Sequence, residues 1–263
     1  MAPTAILQHL KSYYTKDAER LPFSLSSTPS STSSPSTYPT TRPSPTLSRD
    51  APSVIRARIR LVTLSSTLST LLTIYLITTL THSTLPSTLR LLGWYPIHPL
   101  SILRPLLLTI LLFSGPLFEK AIIHRSWRTW LRGRALHESL SSWIGWRNYI
   151  AGPLTEELIF RSLLTPLHLL TPLPVPRTVL LTPLYFGIAH VHHFYEYTLT
   201  HPHTPLLPAL VRSLVQFAYT TLFGWYATFV FVRTGSLPAV VLAHSFCNWC
   251  GLPRLWGGWG RRG

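Results

Sequence analysis

Long apolar runs with few charges alternate with short polar connections from about residue 50 to the C-terminus. Six of these runs approach or exceed the roughly 20 residues that cross a bilayer as a helix. They lie at residues 61–81, 99–123, 149–173, 178–193, 206–232 and 235–252. The pattern predicts an all-α fold, a polytopic transmembrane helix bundle with about six spans.

Two other segments have a different character. The stretch from 125 to 147 mixes arginines with tryptophans, which is typical of interfacial helices that lie on a membrane surface. Residues 24–48 are almost entirely Ser, Thr and Pro, with too little apolar surface to offset the entropy of ordering. We therefore expect a disordered N-terminal segment at 1–49, a transmembrane domain at 50–253 and a basic C-terminal tail at 254–263.

Composition and charge support a membrane protein. Only 12% of the 263 residues are charged, against about 25% in a typical soluble domain. The net charge of +15 would suit nucleic acid, but the arginines flank the apolar runs, which favours orientation by the positive-inside rule and contact with a lipid bilayer. We expect no nucleic-acid partner. If residues 56–60 face the cytosol, alternation places the other arginine-rich connections on the same side.

The sequence from Gly152 to Arg161 is the most unusual part of the third run. It holds two adjacent carboxylates, Glu156 and Glu157, where a charge at mid-bilayer costs roughly 2.5–3.5 kcal/mol. Gly152-Pro153 suggests a helix start with Thr155 as N-cap. Glu157 and Arg161 are spaced i,i+4 in the favoured order for an ion pair. This leaves Glu156 as the free carboxylate, although a capping and interface cluster without chemistry fits the stretch equally well.

Two further runs carry polar pairs at helical spacing. Phe186 and His190 share one face of the fourth run, and His244 and Asn248 share one face of the sixth. Polar groups on three separate spans predict a shared polar pocket inside the bundle.

Metal binding and redox chemistry are less favoured interpretations of these residues and of the neighbouring histidines and cysteines. A metal site could use Glu156, His190, His244 and a second glutamate, but no H-E-x-x-H motif is present. The remaining histidines of this region fit loop or interface positions: His192, His193, His201 and His203. The single C-x-x-C at Cys247 and Cys250 favours packing over redox work or a disulfide framework.

Together these motifs resemble those of the type II CAAX prenyl endopeptidase family, in the same order and on successive apolar segments. They are Glu156-Glu157-x-x-x-Arg161, Phe186-x-x-x-His190 and His244-x-x-x-Asn248. The resemblance covers roughly residues 48–252. It implies a metal-independent, cofactor-free intramembrane protease of the endoplasmic reticulum, with its active site facing the cytosol. Its substrates would be prenylated CAAX-protein C-termini, such as those of Ras-like GTPases, from which it removes the last three residues.

The resemblance also implies a role for each motif residue. Glu156 with His190 would activate the attacking water, and His244 with Asn248 would stabilise the oxyanion. Glu157 and Arg161 would support Glu156, and Phe186 would be a further supporting residue. A related membrane protease with another peptide substrate and a non-catalytic binding protein, scaffold or transporter of the same fold are the alternatives.

Overall fold

The computed structural model of the chain describes residues 50–201 and 203–251. Across these ranges the regular secondary structure is entirely helical. The α-helices in chain order are α1 (Pro52–Thr81), α2 (Leu85–Leu91), α3 (Pro99–Leu112), α4 (Ser114–Phe118), α5 (Trp127–Leu131), α6 (Arg134–Leu140), α7 (Trp143–Trp146), α8 (Gly152–Glu157), α9 (Thr165–Leu169), α10 (Val175–Ala189), α11 (His192–Thr200), α12 (Leu206–Thr234) and α13 (Leu237–Cys250). The expected disordered segment at 1–49 and the tail at 254–263 lie outside the described residues.

Helix length does not confirm about six spans. Within the described ranges only α1 and α12 are long and apolar enough to cross a membrane unaided. A third crossing is possible if α3 and the helical segment Ser114–Ile123 count as one span, although they meet at a bend of 72°. The other apolar runs form shorter helices, such as α13 with 14 residues, or helices interrupted by π turns.

The ends of the main helices follow local sequence signals. Pro52 and Leu206 begin α1 and α12 after residues in extended conformations, where a proline at or before the first turn removes no needed hydrogen bond. Gly235 ends α12 with a φ of 57°, a left-handed conformation that glycine adopts without a steric cost. The Ser236 side chain then accepts a hydrogen bond from the Ala239 amide and caps α13.

Helix α1 has an inverted distribution of polar and apolar side chains. It buries Ser66, Thr70 and Thr73, whereas Leu64 and Leu71 are 57% and 60% exposed. In water this arrangement would be unfavourable, but in lipid the leucines meet apolar chains and the small polar residues allow close helix packing. The surface of α1 is therefore the surface expected of a helix in a bilayer.

Two groups of contacts connect the ends of the helices. At one end, Arg58 near the start of α1 pairs with Glu196 on α11 at 3.2 Å, and the Lys120 amine donates to the Cys250 carbonyl oxygen at 2.6 Å. At the other end, the Leu237 amide donates to the Gly93 carbonyl oxygen at 2.8 Å. These contacts join connections that are distant in sequence.

Candidate active site

The two glutamates lie on one unbroken helical stretch that runs from α7 to α9. Its α segments are joined by π turns at Arg147–Ala151 and Leu158–Leu164. Ser142 caps its start by accepting a hydrogen bond from the Gly145 amide at 3.0 Å. The π turns lie on both sides of the carboxylates, and π turns within α-helices are often found at functional sites.

The prediction of a helix start at Gly152-Pro153 is therefore wrong. The chain stays helical through both residues, and the Thr155 hydroxyl donates to the Ala151 carbonyl oxygen at 2.7 Å instead of capping a helix. Proline breaks a helix because it lacks an amide hydrogen and its ring crowds the preceding turn. Here a π turn ends at Ala151 and Pro153 is the second residue of the α segment that follows, and the helix continues through it.

Glu157 and Arg161 form the ion pair that their spacing predicts. Both side chains are buried, with 0% and 1% exposure. The Arg161 Nη1 donates to Glu157 Oε1 at 3.2 Å, and Nε lies 3.2 Å from Oε2. The guanidinium also lies over the Phe186 ring, 4.4 Å from its centroid. A buried arginine needs such a charge partner, since an unpaired ion in an apolar interior is strongly destabilising.

His244 on α13 lies between the two carboxylates. Its Nδ1 is 2.6 Å from Glu157 Oε1, and its Nε2 is 3.8 Å from Glu156 Oε2. The short contact assigns the proton on Nδ1 to a hydrogen bond with Glu157. Glu157 thus contacts His244, whereas the family resemblance implied that it would support Glu156. The Glu156 side chain keeps 36% exposure, so it is the less buried carboxylate of the two.

Phe186 connects the two histidines. Its ring centroid lies 4.5 Å from that of His190 and 6.3 Å from that of His244. His190 follows the last residue of α10, and its Nδ1 donates to the Phe186 carbonyl oxygen at 2.7 Å. This bond fixes the tautomer, so Nε2 remains the hydrogen-bond acceptor. His190 can therefore receive a proton from a water or position one.

Close packing of α10 against α12 holds Phe186 and His190 in place. A Cβ on Gly187 would overlap the Thr221 hydroxyl and lie 2.9 Å from the Phe217 ring. A Cβ on Gly224 would lie 2.8 Å from the Pro183 side chain. Glycine at both positions therefore lets the two helix backbones approach more closely than any other residue would.

Asn248 is one helical turn beyond His244 and is exposed. Its side-chain Nδ2 donates to the Asn148 backbone carbonyl oxygen at 2.9 Å. This bond uses one of its two amide hydrogens and fixes the side chain, and the second hydrogen stays available as a donor.

The structure thus brings together side chains from all three motifs, with His244 bridging to the glutamates and Phe186 bridging to His190. Two contributors were missed at the sequence level. The Phe223 ring on α12 lies 4.5 Å from the His244 ring, and Asn148 contributes only a backbone carbonyl. No local signal distinguishes either residue, because one is among many aromatics and the other acts through its main chain.

The other predicted groups in the described ranges form no hydrogen bond or ion pair with the glutamates or His244, although the His193 ring lies 5.9 Å from that of His190. Along the described part of the chain, no set of three His, Cys, Asp or Glu side chains is arranged to hold a metal. His192 and His193 lie against each other with ring centroids 3.9 Å apart, and His201 stacks on Tyr197. Cys247 and Cys250 are free thiols, Cys250 being buried.

Several known proteins are similar to this chain. Residues 138–250 match the family described as "Type II CAAX prenyl endopeptidase Rce1-like". The chain is 39% identical over 219 residues to "Probable CAAX prenyl protease 2" of Schizosaccharomyces pombe, a match that covers 83% of this chain and 75% of the relative. It is 36% identical over 220 residues to "CAAX prenyl protease 2" of Homo sapiens, covering 80% and 65%. It is 37% identical over 171 residues to the protein of the same name from Arabidopsis thaliana, covering 59% and 55%.

These matches extend over between about half and three quarters of the length of the three relatives. No solved structure matches the chain. The sequence similarity and the three motifs lead to one assignment: the chain belongs to the type II CAAX prenyl endopeptidase family.

Proposed function

We propose that this chain is a CAAX prenyl endopeptidase that hydrolyses the peptide bond after a prenylated cysteine and releases the C-terminal tripeptide. The observation that carries the proposal is His244, which lies 3.8 Å from Glu156 and 2.6 Å from Glu157 although 87 residues separate it from the latter. A carboxylate, an imidazole and an amide donor from different helices are the groups that amide hydrolysis requires.

Glu156 with His190 activates the attacking water. Glu156 is the reachable carboxylate, and the Nε2 of His190 is the acceptor because Nδ1 is bonded to Phe186. The water loses a proton to this pair as its oxygen bonds to the scissile carbonyl carbon. The same proton then goes to the leaving amine nitrogen as the C–N bond breaks, so the pair returns to its starting state.

His244 and Asn248 stabilise the oxyanion of the tetrahedral intermediate. Asn248 supplies an amide hydrogen that is not used by Asn148. His244 donates from both ring nitrogens only as an imidazolium, and Glu156 and Glu157 supply the compensating negative charges. Arg161 holds the Glu157 carboxylate, so Glu157 orients His244 in the way that the acid of a catalytic triad orients its histidine. No metal or cofactor enters this mechanism.

We infer that the protein crosses the membrane of the endoplasmic reticulum about six times within a protease domain at 50–253, flanked by 1–49 and 254–263. Two observations support this arrangement. The contacts Arg58–Glu196 and Lys120–Cys250 join connections that six alternating crossings would place on one side, and Leu237–Gly93 joins connections on the other. The excess of arginines on the first side makes that side cytosolic by the positive-inside rule.

The substrates are prenylated CAAX-protein C-termini, including those of Ras-like GTPases. A prenyl chain gains roughly 0.8 kcal/mol for each CH₂ that it buries in the bilayer or the bundle. The buried prenyl chain therefore anchors the peptide at the cytosolic side of the membrane, where the proposed topology places the glutamates. This use of remote binding energy would hold the scissile bond near Glu156.

The test is cleavage of a fluorogenic farnesyl-peptide by the purified protein. Glu156→Ala and His190→Ala should each lower the rate by a factor of about 10²–10⁴, the usual contribution of general acid–base groups, while expression persists. Glu138→Gln is a matched control, since Glu138 is an exposed carboxylate on α6. Retained activity in either site variant would contradict the mechanism.

The same assay separates the alternative functions. Equal cleavage of a non-prenylated peptide would indicate a related protease with a different substrate. Binding of the farnesyl-peptide without turnover would indicate a non-catalytic binding protein, scaffold or transporter.

A further inference from the structure

A groove lies between α11 and α12, next to the histidine that follows α10. It has a volume of about 580 Å³, within the range of pockets that hold small ligands. Its walls are polar and aromatic, and their main side chains are those of His193, Glu196, Tyr197, His201, Arg212 and Tyr219. Neither the three motifs nor the proposed mechanism uses these residues.

The groove begins beside the proposed catalytic centre. The ring centroid of His193, which lines the groove, is 5.9 Å from that of His190. Tyr197 is one helical turn further along α11, a rise of about 5.4–6 Å. The groove therefore leads away from His190 along α11.

Arg212 provides a positive charge further along this path. Its guanidinium carbon lies 4.1 Å from the centroid of the Tyr197 ring. In the described parts of the chain, no carboxylate lies within ion-pair distance of Arg212. The groove's own carboxylate, Glu196, is paired with Arg58 at 3.2 Å and contacts His193 at 3.2 Å. A guanidinium stacked on an aromatic face still presents its N–H groups at its edges, where a carboxylate can bind with two hydrogen bonds.

The proposed substrate has a negative charge at a fixed distance from the scissile bond. Three residues follow the prenylated cysteine, and three extended residues span at most about 10–11 Å. Their last atom group is a free carboxylate. The groove runs from His193, which contacts the His190 ring, to Arg212, so a short peptide lying in it can carry its terminal carboxylate from the scissile bond towards the guanidinium.

We propose that this groove binds the departing tripeptide and that the Arg212 guanidinium binds its C-terminal carboxylate. The proposal rests on the proposed function, because it assigns the far end of the same substrate. The proposal explains why cleavage would occur three residues from the C-terminus. The bound carboxylate fixes the end of the peptide, and the prenyl group fixes the other side of the scissile bond.

The experiment compares two farnesyl-peptides of identical sequence, one ending in a free carboxylate and the other in an amide. Wild-type protein should cleave the carboxylate peptide with a kcat/KM about 10–100-fold higher, as expected for loss of a charge-assisted hydrogen bond. Arg212→Gln should lower kcat/KM for the carboxylate peptide by a similar factor, mainly through KM, and leave the amide peptide nearly unchanged. Arg212→Lys should restore part of the difference. Arg233→Gln is the matched control, since Arg233 is an exposed arginine near the other end of α12.

Each result has a distinct meaning. If wild-type protein cleaves neither peptide, the proposed function fails, whatever the role of Arg212. If wild-type protein is active but Arg212→Gln leaves the preference for carboxylate intact, the groove proposal is wrong. An equal loss on both peptides would also overturn it and would assign Arg212 to folding or to contact with lipid phosphates. Cleavage of the amide peptide by Arg212→Gln shows that this variant is folded.

Discussion

Nδ1 of His244 donates a hydrogen bond of 2.6 Å to Oε1 of Glu157, on a helix 87 residues earlier in the chain. The acceptor carboxylate is itself held by Arg161. The second glutamate of the motif therefore contacts both Arg161 and His244, whereas the side chain of the first glutamate is 36% exposed. In the proposed mechanism the second glutamate positions the histidine and the first activates water, so the two adjacent carboxylates have separate roles.

Glu157→Gln should reduce both activity and stability. A glutamine oxygen still accepts a hydrogen bond from His244, but the buried Arg161 loses its counter-charge, which costs about 3–5 kcal/mol when a buried pair is broken. We expect a lower Tm in detergent and a fall in kcat of about 10-fold or more. Thermal unfolding and farnesyl-peptide cleavage measure the two effects separately.

The double variant Glu157→Gln, Arg161→Gln is the control for this prediction. It removes both charges, so it should recover most of the lost Tm while kcat stays low. A double variant as unstable as the single one would show that the two residues are not coupled. Full recovery of kcat would show that the charge of Glu157 has no role in orienting His244.

Phe186→Leu tests the aromatic link between the two histidines. Leucine fills a similar volume, so the stability loss should stay below about 1.5 kcal/mol apart from the lost contact with the Arg161 guanidinium. The edge contact with His190 disappears, and the imidazole gains freedom to rotate. We expect kcat to fall about 10-fold with KM nearly unchanged. Phe113→Leu, which removes an edge contact with Phe246, should leave kcat intact.

Local spacing was enough to predict the features that depend on one helix. The Glu157–Arg161 ion pair follows from i,i+4 spacing, and so does the contact of Phe186 with His190. Both pairs lie within a single turn, where side-chain direction is set by helix geometry alone. The all-helical class could also be inferred from the sequence, because the apolar runs have the length of membrane-spanning helices.

Features that depend on the register or bending of a helix could not be predicted. Gly152-Pro153 has the composition of a helix start, but a π turn at Arg147–Ala151 carries the helix through it. The bend of 72° after α3 falls at Ser114-Gly115-Pro116, a sequence that is typical of a kink but does not determine its angle. Apolar runs therefore indicate about six segments, whereas the number of straight, membrane-length helices is smaller.

The contact between His244 and Glu157 is a second feature that could not be predicted from the sequence alone. Helix periodicity predicts contacts only between residues a few positions apart, and His244 and Glu157 are 87 positions apart. The sequence could therefore place His244 in the predicted pocket but could not identify the side chain that it contacts. The family resemblance linked Glu157 to Glu156, its neighbour in sequence. The structure instead links it to His244, because α13 packs against the helix that carries the glutamates.

Chelators provide a test that does not depend on any substitution. The Nδ1 of His244 is engaged by Glu157, and the Nδ1 of His190 is engaged by the Phe186 carbonyl oxygen. A metal would therefore have to bind through the Nε2 atoms, and among the described residues no set of three His, Cys, Asp or Glu side chains is arranged to hold one. We expect full farnesyl-peptide cleavage after treatment with 1,10-phenanthroline and dialysis. Loss of activity that returns on addition of zinc, but not of magnesium, would favour the metal reading.

Gly187→Ala tests whether the close approach of α10 and α12 positions the site. The added methyl group would overlap the Thr221 hydroxyl and press on the Phe217 ring, and such overpacking typically costs about 1–3 kcal/mol. Because Gly187 adjoins Phe186 and precedes His190 by three residues, separation of the two helices should also displace both side chains. We expect a lower Tm together with a lower kcat. Gly115→Ala, where nothing lies within 4 Å of the added group, should change neither.

Thr221→Ala provides the compensating change for this variant. The Thr221 hydroxyl is buried without a hydrogen-bond partner among the described residues, so its removal alone should be close to neutral. In the double variant Gly187→Ala, Thr221→Ala the new methyl group meets only Phe217, and part of the lost Tm and kcat should return. The coupling free energy from the four unfolding curves should exceed about 0.5 kcal/mol, the level at which contacting residues depart from additivity. Strictly additive effects would mean that the helices already separate at this point, and the loss of kcat would then need a cause other than the spacing of α10 and α12.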